Sequence, residues 1–326
     1  MNKTYCFSCL KSGYESFCPK CLKLLFDGKK ISHILNFSRP DFNKAKIEQS
    51  SRLSISGVQI KHSLKLENKQ LNLTESGGKY IIKPIPYGVY NNMEAVPANE
   101  HLTMQIANQV FNITTAFNAL VKFSDGDYVY LTKRFDLVDD EDKFLVEDFA
   151  QIAGKTSETD GDNYKYNFSY EGIANLINKY VSAYPVEIEK FFKLVLFNYL
   201  ISNGDAHLKN FSLYRNSLYG DYLLTPAYDL LCTRIHTPNE SDLALDLFAD
   251  NYQSEQYKFG SKYTRPDFVE LGNRIGIKEK RIDLIINNMI DKKDKMCELV
   301  NRSFLSENIK SLYLSFVEER LNRLSR

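Results

Sequence analysis

Four side chains able to do chemistry crowd into the run NGDAHLKN: Asp205, His207, Lys209 and Asn210. A carboxylate accepts a proton, an amide oxygen ligates a hard cation, and an ammonium meets an anion. A second carboxylate, Asp229, follows in PAYDLL, and Lys83 stands far upstream in the strand-like KYIIKP. Before it lies SISGVQIK, whose small residues from Ser56, Gly57 and Val58 through Gln59, Ile60 and Lys61 can offer backbone N–H groups to phosphate. Phosphoryl transfer to a hydroxyl needs one carboxylate at the nucleophile and a cation held by two further oxygen donors. It also needs a lysine on the phosphates. Asp205 suits the first role, Asn210 and Asp229 the second, and Lys83 the third. A different chemistry sits at the start of the chain. Cys6-x-x-Cys9 and Cys18-x-x-Cys21 are two knuckles eight residues apart, the spacing of a tetrahedral four-thiolate Zn²⁺ site. Such a site has no open position and is structural; free thiols are the alternative.

These groups need rigid carriers. Residues 189–201, EKFFKLVLFNYLI, are apolar almost all round, which predicts a helix without a solvent face at the centre of a core. Asn203-Gly204 is expected to end it, with Gly in the left-handed conformation of a helix C-terminus. Upstream, SLKLENKQLNL predicts a hairpin turning near Glu67–Lys69, and Gly77-Gly78 the next turn. Alternation in KYIIKP sets Lys83 opposite Tyr80 and Ile82, so an inward Lys83 needs an anionic partner. NEHLTMQIANQV has helical periodicity with Asn99 as its cap, and Glu100 on it is the candidate partner. Residues 117–136 predict two strands around Asp125-Gly126-Asp127. VEDFAQIA reads as a short helix, 157–169 as a long polar loop, and 170–183 as helical. Asn216–Asp221 reads as the turn of a hairpin that delivers Asp229. The last third predicts helices at DFVELGNRIGI, around 280–302, and behind a Ser306 cap. Cys232 and Cys297 read as small core residues.

The whole chain has 326 residues, 43% hydrophobic and 25% charged, the balance of a globular enzyme. A formal net charge of +1 gives no electrostatic footprint for nucleic acid or an acidic membrane. No apolar run approaches the ~20 residues of a membrane span, and the N-terminus lacks a signal peptide's apolar stretch. A reducing cytoplasm is therefore expected.

Asp205-x-x-x-x-Asn210 also has the spacing of the kinase catalytic loop. Taken with SISGVQIK, IIKP, NEHLTMQIA, KRFD, NGDAHLKNFSL and PAYDLL, it makes residues 50–326 resemble the HipA-like serine/threonine kinases. Those are toxins of bacterial toxin–antitoxin systems, and the chain is most similar to their short, HipT-like branch. The resemblance implies an α+β, protein-kinase-like bilobal fold. The expected divisions are a four-cysteine zinc-type module at 1–30, a β-rich N-lobe at 31–136 and a helical C-lobe at 137–326. It implies ATP and Mg²⁺ as cofactors, Asp205 as catalytic base, and Asn210 and Asp229 as metal ligands. Ser56 through Lys61, with Lys83, would line the phosphates. Lys133, Arg134 and Phe135 would form the hinge beside adenine, largely through backbone. Lys209 would help at the γ-phosphate, and His207 would orient the loop. Leu208 and Tyr228 complete the nucleotide site. Ser54 and Ser56 match the family's autophosphorylation positions. The implied substrate is an aminoacyl-tRNA synthetase, and the implied partners are small antitoxin proteins, one of them DNA-binding. Delivery into another cell as an effector fits the same sequence. In departure from ordinary kinases, Leu230-Leu231 follows Asp229. Two other readings stand beside this one: a small-molecule kinase of the aminoglycoside or choline kinase type, and a zinc-bearing binding module on a kinase scaffold.

Overall fold

The computed structural model describes residues 4–49, 61–138, 142–215 and 220–326. Ser54 and Ser56–Ile60 lie outside them, so the phosphate-loop and autophosphorylation expectations have no structural counterpart below. A short helix α1 (Pro19–Phe26), which carries Cys21 of the second knuckle, is followed by α2 (Arg39–Gln49). Five antiparallel strands then form one sheet: β1 (His62–Glu67), β2 (Gln70–Leu73), β3 (Tyr80–Lys83), β4 (Asn118–Lys122) and β5 (Tyr128–Lys133), in the order β2-β1-β3-β5-β4. The β1–β2 turn is made by Asn68 and Lys69, both left-handed, as a tight two-residue hairpin requires. Pro84 ends β3 directly after Lys83, since it has no N–H for the ladder.

Between β3 and β4 lies the helix α3 (Val96–Gln105), prolonged by a π-helical turn over Ile106–Val110. It starts earlier than periodicity predicts. Pro97 occupies its first turn, and Asn99 is not its cap but a fully buried residue inside it. The β4 edge is covered by N-terminal backbone: Leu120 N–H donates to Phe7 O, Leu35 N–H donates to Lys122 O, and Lys122 N–H donates to His33 O. An edge masked in this way cannot recruit foreign strands.

The second lobe begins with β6 (Val146–Asp148), at a place where the sequence predicts helix, followed by the one-turn α4 (Phe149–Ile152) and α5 (Ser157–Asp160). β6 pairs with β7 (Ser212–Arg215), and β7 with β8 (Tyr222–Leu224). Cross-strand partners so far downstream leave no local trace, which is why VED reads as helix from its own sequence. The lobe's further helices are α6 (Tyr170–Tyr180), α7 (Tyr184–Leu200), α8 (Glu255–Gly260), α9 (Arg265–Arg274), α10 (Glu279–Asp291), α11 (Lys293–Arg302) and α12 (Glu307–Leu324). The stretch around 280–302 is thus two helices, broken at Lys292. α7 is central, lying against α6, α10 and α12. Phe191, Phe192, Val195, Leu196, Phe197, Tyr199 and Leu200 are all sealed from solvent. At about 1.5–3 kcal/mol for each buried large apolar side chain, this helix anchors the lobe. Among the described residues, no helix is long and apolar enough to cross a membrane.

The N-terminal segment does not stand apart. Phe7, Leu10, Phe17, Leu25 and Phe26 belong to the same continuous core as both lobes. Phe7 stacks on Phe304, and the Tyr80 hydroxyl donates to Leu25 O at 2.8 Å.

Candidate active site

Lys83 ends β3 with only 8% of its surface exposed, facing Tyr130 on β5. Its Nζ donates to Glu100 Oε1 at 2.7 Å and to Asp229 Oδ1. A strand, a helix and a C-lobe loop therefore converge on one ammonium. Burial of three charges is costly unless each is paired, and here one cation serves two anions. Desolvation opposes the Lys83 charge, but the two carboxylates outweigh it and hold its pKa above the ordinary lysine value. Desolvation pushes Glu100 up to about 7 despite Lys83, with the Asp229 charge acting in the same direction. Asp229 is also desolvated, yet Lys83 prevails and keeps it below the usual carboxylate range. Asp229 adopts φ +55°, the left-handed region that Asp tolerates better than most residues. Its neighbours hold it there: Ala227 N–H donates to Thr114 O, Ala116 N–H donates to Ala227 O, and Leu230 is buried.

The loop after α7 is built differently from the expectation. Ser202, not Gly204, takes the left-handed turn, at φ +54°. The buried Arg320 donates from Nε to Ser202 Oγ at 3.1 Å, and Asn203 Nδ2 reaches back to Asn198 at 2.8 Å. Gly204 is needed for close approach instead. A Cβ there would stand 2.6 Å from the Glu240 carboxyl carbon, and Gly204 N–H donates to Thr233 Oγ1 at 2.7 Å. With the stem fixed, Asp205 projects outward, its side chain 54% exposed. It accepts a hydrogen bond from the Tyr166 hydroxyl at 2.5 Å.

His207 lies 3.9 Å from Asp205, too far for a hydrogen bond. It is buried edge-on against Tyr166 with ring centres 5.1 Å apart, and burial lowers its pKa so that it stays neutral. Its backbone N–H donates to Asn210 Oδ1 at 3.1 Å, which fixes the Asn210 side chain. Leu208 is sealed in the core, and Lys209 is exposed with Nζ 3.5 Å from the Tyr164 hydroxyl. Asn210 immediately precedes the β7–β8 hairpin and Asp229 follows it, so one hairpin frames both oxygen donors.

Phe135 and Tyr228 stack with centres 5.6 Å apart across the gap between the lobes. The Tyr228 hydroxyl donates to Lys209 O at 3.0 Å and meets Ser212 Oγ at 2.5 Å. Arg134 is occupied by Asp136, and Lys133 turns away to Asp27 at 2.8 Å. The Lys133 contribution to any hinge is thus its backbone. Lys61 is exposed, and its charge reaches Asp229.

Four contributors were not foreseen. Tyr166 comes from the polar loop, whose length alone flagged it. Thr233 and Glu240 brace Gly204, and nothing in their local sequence marks them. Asn99 ties α3 to the segment after Asp229: its Nδ2 donates to Cys232 O at 3.0 Å and its Oδ1 accepts from Cys232 N–H at 3.2 Å.

The donor chemistry fits two groups. A carboxylate and an amide oxygen suit Mg²⁺, which keeps waters in its remaining positions. The Asp229 side chain is 43% exposed and so reachable by a cation. At the N-terminus, the four Sγ atoms of Cys6, Cys9, Cys18 and Cys21 lie within 4.8 Å of one another, with Cys9 and Cys18 at 3.7 Å. Tetrahedral zinc with Zn–S bonds of about 2.3 Å sets sulfurs about 3.8 Å apart, so these residues fit that ion.

A β-rich lobe and a helical lobe, a buried lysine bridging them and a polar loop opposite it define a protein-kinase-like fold. The sequence matches the HipA-like C-terminal domain family over residues 53–296, most of its length, and the chain belongs to that family. A Haemophilus influenzae relative named "Putative kinase" is 29% identical, covering 96% of this chain and 93% of its own. "Putative kinase Y4dM" of Sinorhizobium fredii is 31% identical over 64% of this chain and 52% of its own. Among solved structures, Shewanella oneidensis HipA, in complex with HipB and operator DNA, superposes with a TM-score of 0.65. It is 20% identical, over 88% of this chain and 71% of that one. The Helicobacter pylori proinflammatory kinase CtkA gives a TM-score of 0.52 at 17% identity, over 80% of this chain and 90% of that one. At these identities the structures speak to fold alone.

Proposed function

We propose that the chain is an ATP- and Mg²⁺-dependent serine/threonine protein kinase acting as the toxin of a toxin–antitoxin pair. The observation that carries the reading is the convergence of Glu100 and Asp229 on buried Lys83, with exposed Asp205 and half-buried Asn210 on the adjoining loop. Lys83, positioned by Glu100, binds the nucleotide phosphates. Asn210 and Asp229 hold Mg²⁺, which neutralises charge on those phosphates when bound. Asp205 accepts the hydroxyl proton, and Tyr166 holds its carboxylate in place until substrate arrives. His207, neutral and buried, positions Asn210 and takes no proton. Lys209, the loop cation that points to solvent, meets the γ-phosphate. Phe135 and Tyr228 flank the adenine end.

Ser56 through Lys61 bind the phosphates, and Ser54 or Ser56 is an autophosphorylation site. A phosphate of about −2 charge there competes with ATP and silences the enzyme. The substrate is a protein, an aminoacyl-tRNA synthetase in keeping with the short HipT-like branch. Small antitoxins, one of them DNA-binding, restrain the kinase, as HipB accompanies the similar Shewanella protein. The cytoplasm is the site of action, and the N-terminal cysteines hold structural zinc.

Phosphoproteomics of bacteria expressing wild type or Asp205→Ala tests this directly. Phosphoserine or phosphothreonine on a translation enzyme should appear with wild type alone. An unchanged proteome alongside a newly phosphorylated metabolite would favour small-molecule transfer instead.

A further inference from the structure

The cysteine knuckle grips the helix that carries Glu100. Ser8, between Cys6 and Cys9, is buried, and its carbonyl accepts the Nε2 proton of His101 at 2.7 Å. His101 directly follows Glu100 and is itself fully buried. Two further residues, Gln105 and Gln109, continue along the same helix face. Gln105 Nε2 donates to Asn118 Oδ1 at 2.8 Å, while Ser8 Oγ donates to Asn118 O at 2.8 Å. Gln109 Nε2 donates to Cys9 O at 3.0 Å and to Gln105 Oε1 at 2.7 Å. Positions 101, 105 and 109 form one stripe, four residues apart, along α3 and its π-helical turn on the side that meets the knuckle. Glu100 is one residue round the helix and faces Lys83.

The knuckle keeps its shape through the thiol cluster. Cys18 N–H donates to Cys6 Sγ at 3.2 Å, and Leu10 sits at φ +60°, unfavourable for a residue with a β-carbon. Cys6 N–H donates to Lys11 O and Leu10 N–H to Cys6 O, so the knuckle's backbone turn and its four sulfurs are one unit that a bound ion would hold together. On its other flank α3 is tied through Asn99 to Cys232 and through Thr103 to the Tyr313 hydroxyl. The cysteine knuckle is therefore a brace on the helix that positions Glu100.

We propose that His101 is a positioning residue for the phosphate-gripping lysine, and that the four-cysteine metal site acts through it to set the Lys83–Glu100 contact. Loss of the metal, by chelation or by oxidation of its thiols to disulfide under a peroxide or disulfide oxidant, frees the 101/105/109 face and weakens nucleotide binding. The proposal rests on the nucleotide-site reading of Lys83 and Glu100.

The test uses the full chain, with bound zinc measured by elemental analysis, amide hydrogen exchange across residues 96–110, and MgATP affinity by calorimetry. His101→Ala should retain its zinc, exchange faster in α3 than wild type while α7 stays protected, and bind MgATP about tenfold more weakly, the scale of one lost buried hydrogen bond. His101→Gln, which can still present an N–H to Ser8 O, should restore most of that loss. KM for ATP should rise more than kcat falls. Wild type stripped of zinc with a mercurial and then treated with thiol should show the same α3 exchange. Unchanged α3 exchange and MgATP affinity in both His101→Ala and the stripped protein would overturn the proposal. Lys83→Met run in parallel separates the two failures. If it loses MgATP while His101→Ala does not, only the brace is wrong; if it binds MgATP as wild type does, the nucleotide-site reading and the proposal fall together.

Discussion

Lys83→Met is expected to remove detectable MgATP binding and to destabilise the fold by an amount that grows with pH. The substitution keeps the length of the side chain but leaves Glu100 and Asp229 without their shared cation. Removing one partner of a buried ion pair costs about 3–5 kcal/mol, and the lower end applies because the Asp229 side chain is 43% exposed. The pH dependence follows from Glu100, whose folded pKa of about 7 already lies above its ordinary value of 4.5. A raised carboxyl pKa means that the folded state holds its proton more tightly. Its contribution to stability is complete below pH 4.5 and is lost as pH rises through the folded value. Without Lys83 that folded value rises further, so the loss extends to higher pH. Urea unfolding of variant and wild type should therefore show a small gap near pH 5 and a large one near pH 8. An equal gap at both would mean that Glu100 does not feel Lys83 as the geometry requires.

Asp205→Asn is expected to lower kcat for phosphoryl transfer by about 10²–10⁴-fold, the range of a lost general base. Its KM for ATP should stay near the wild-type value, since the Asp205 side chain bonds Tyr166 and not Lys83, Asn210 or Asp229. The amide oxygen can still accept from Tyr166, so the loop should keep its conformation and the protein its unfolding midpoint. Steady-state rates alongside thermal unfolding decide the matter. A rate within tenfold of wild type would remove Asp205 from the chemistry.

Much of the site could be read before the fold was known, for reasons that differ by residue. The buried α7 announces itself because a helix with no polar face has only one place to go. Alternation sets Lys83 on the face opposite Tyr80 and Ile82 and leaves a solvated edge-strand lysine open. Ile82 and Lys83 are in fact both buried, and the inward ammonium finds its anion in Glu100 on the next helix. Asp205 and Asn210 share a loop, so their spacing is local and visible. What stayed hidden depends on contacts between distant segments. Asn99 looks like a helix cap because Asn caps helices; its real partners, Cys232 and His236, come from the other lobe. Gly204 looks like a left-handed stop, but a carboxyl 36 residues downstream is what excludes a side chain there. β6 looks helical until β7 pairs with it. The four cysteines predicted a metal cluster from spacing alone. That their knuckle would hold the helix bearing Glu100 could not be seen, because the contact runs through backbone carbonyls of Ser8 and Cys9 that any residue supplies.

The most direct measurement is transfer of labelled γ-phosphate from ATP by the purified chain, with and without Mg²⁺, in wild type and Asp229→Asn. Wild type should place label on serine or threonine, in its own chain or an added protein, only when Mg²⁺ is present, and Asp229→Asn should place almost none. Label transferred equally without Mg²⁺, or equally by Asp229→Asn, would contradict a metal-dependent phosphoryl-transfer site built on Lys83, Asp205, Asn210 and Asp229.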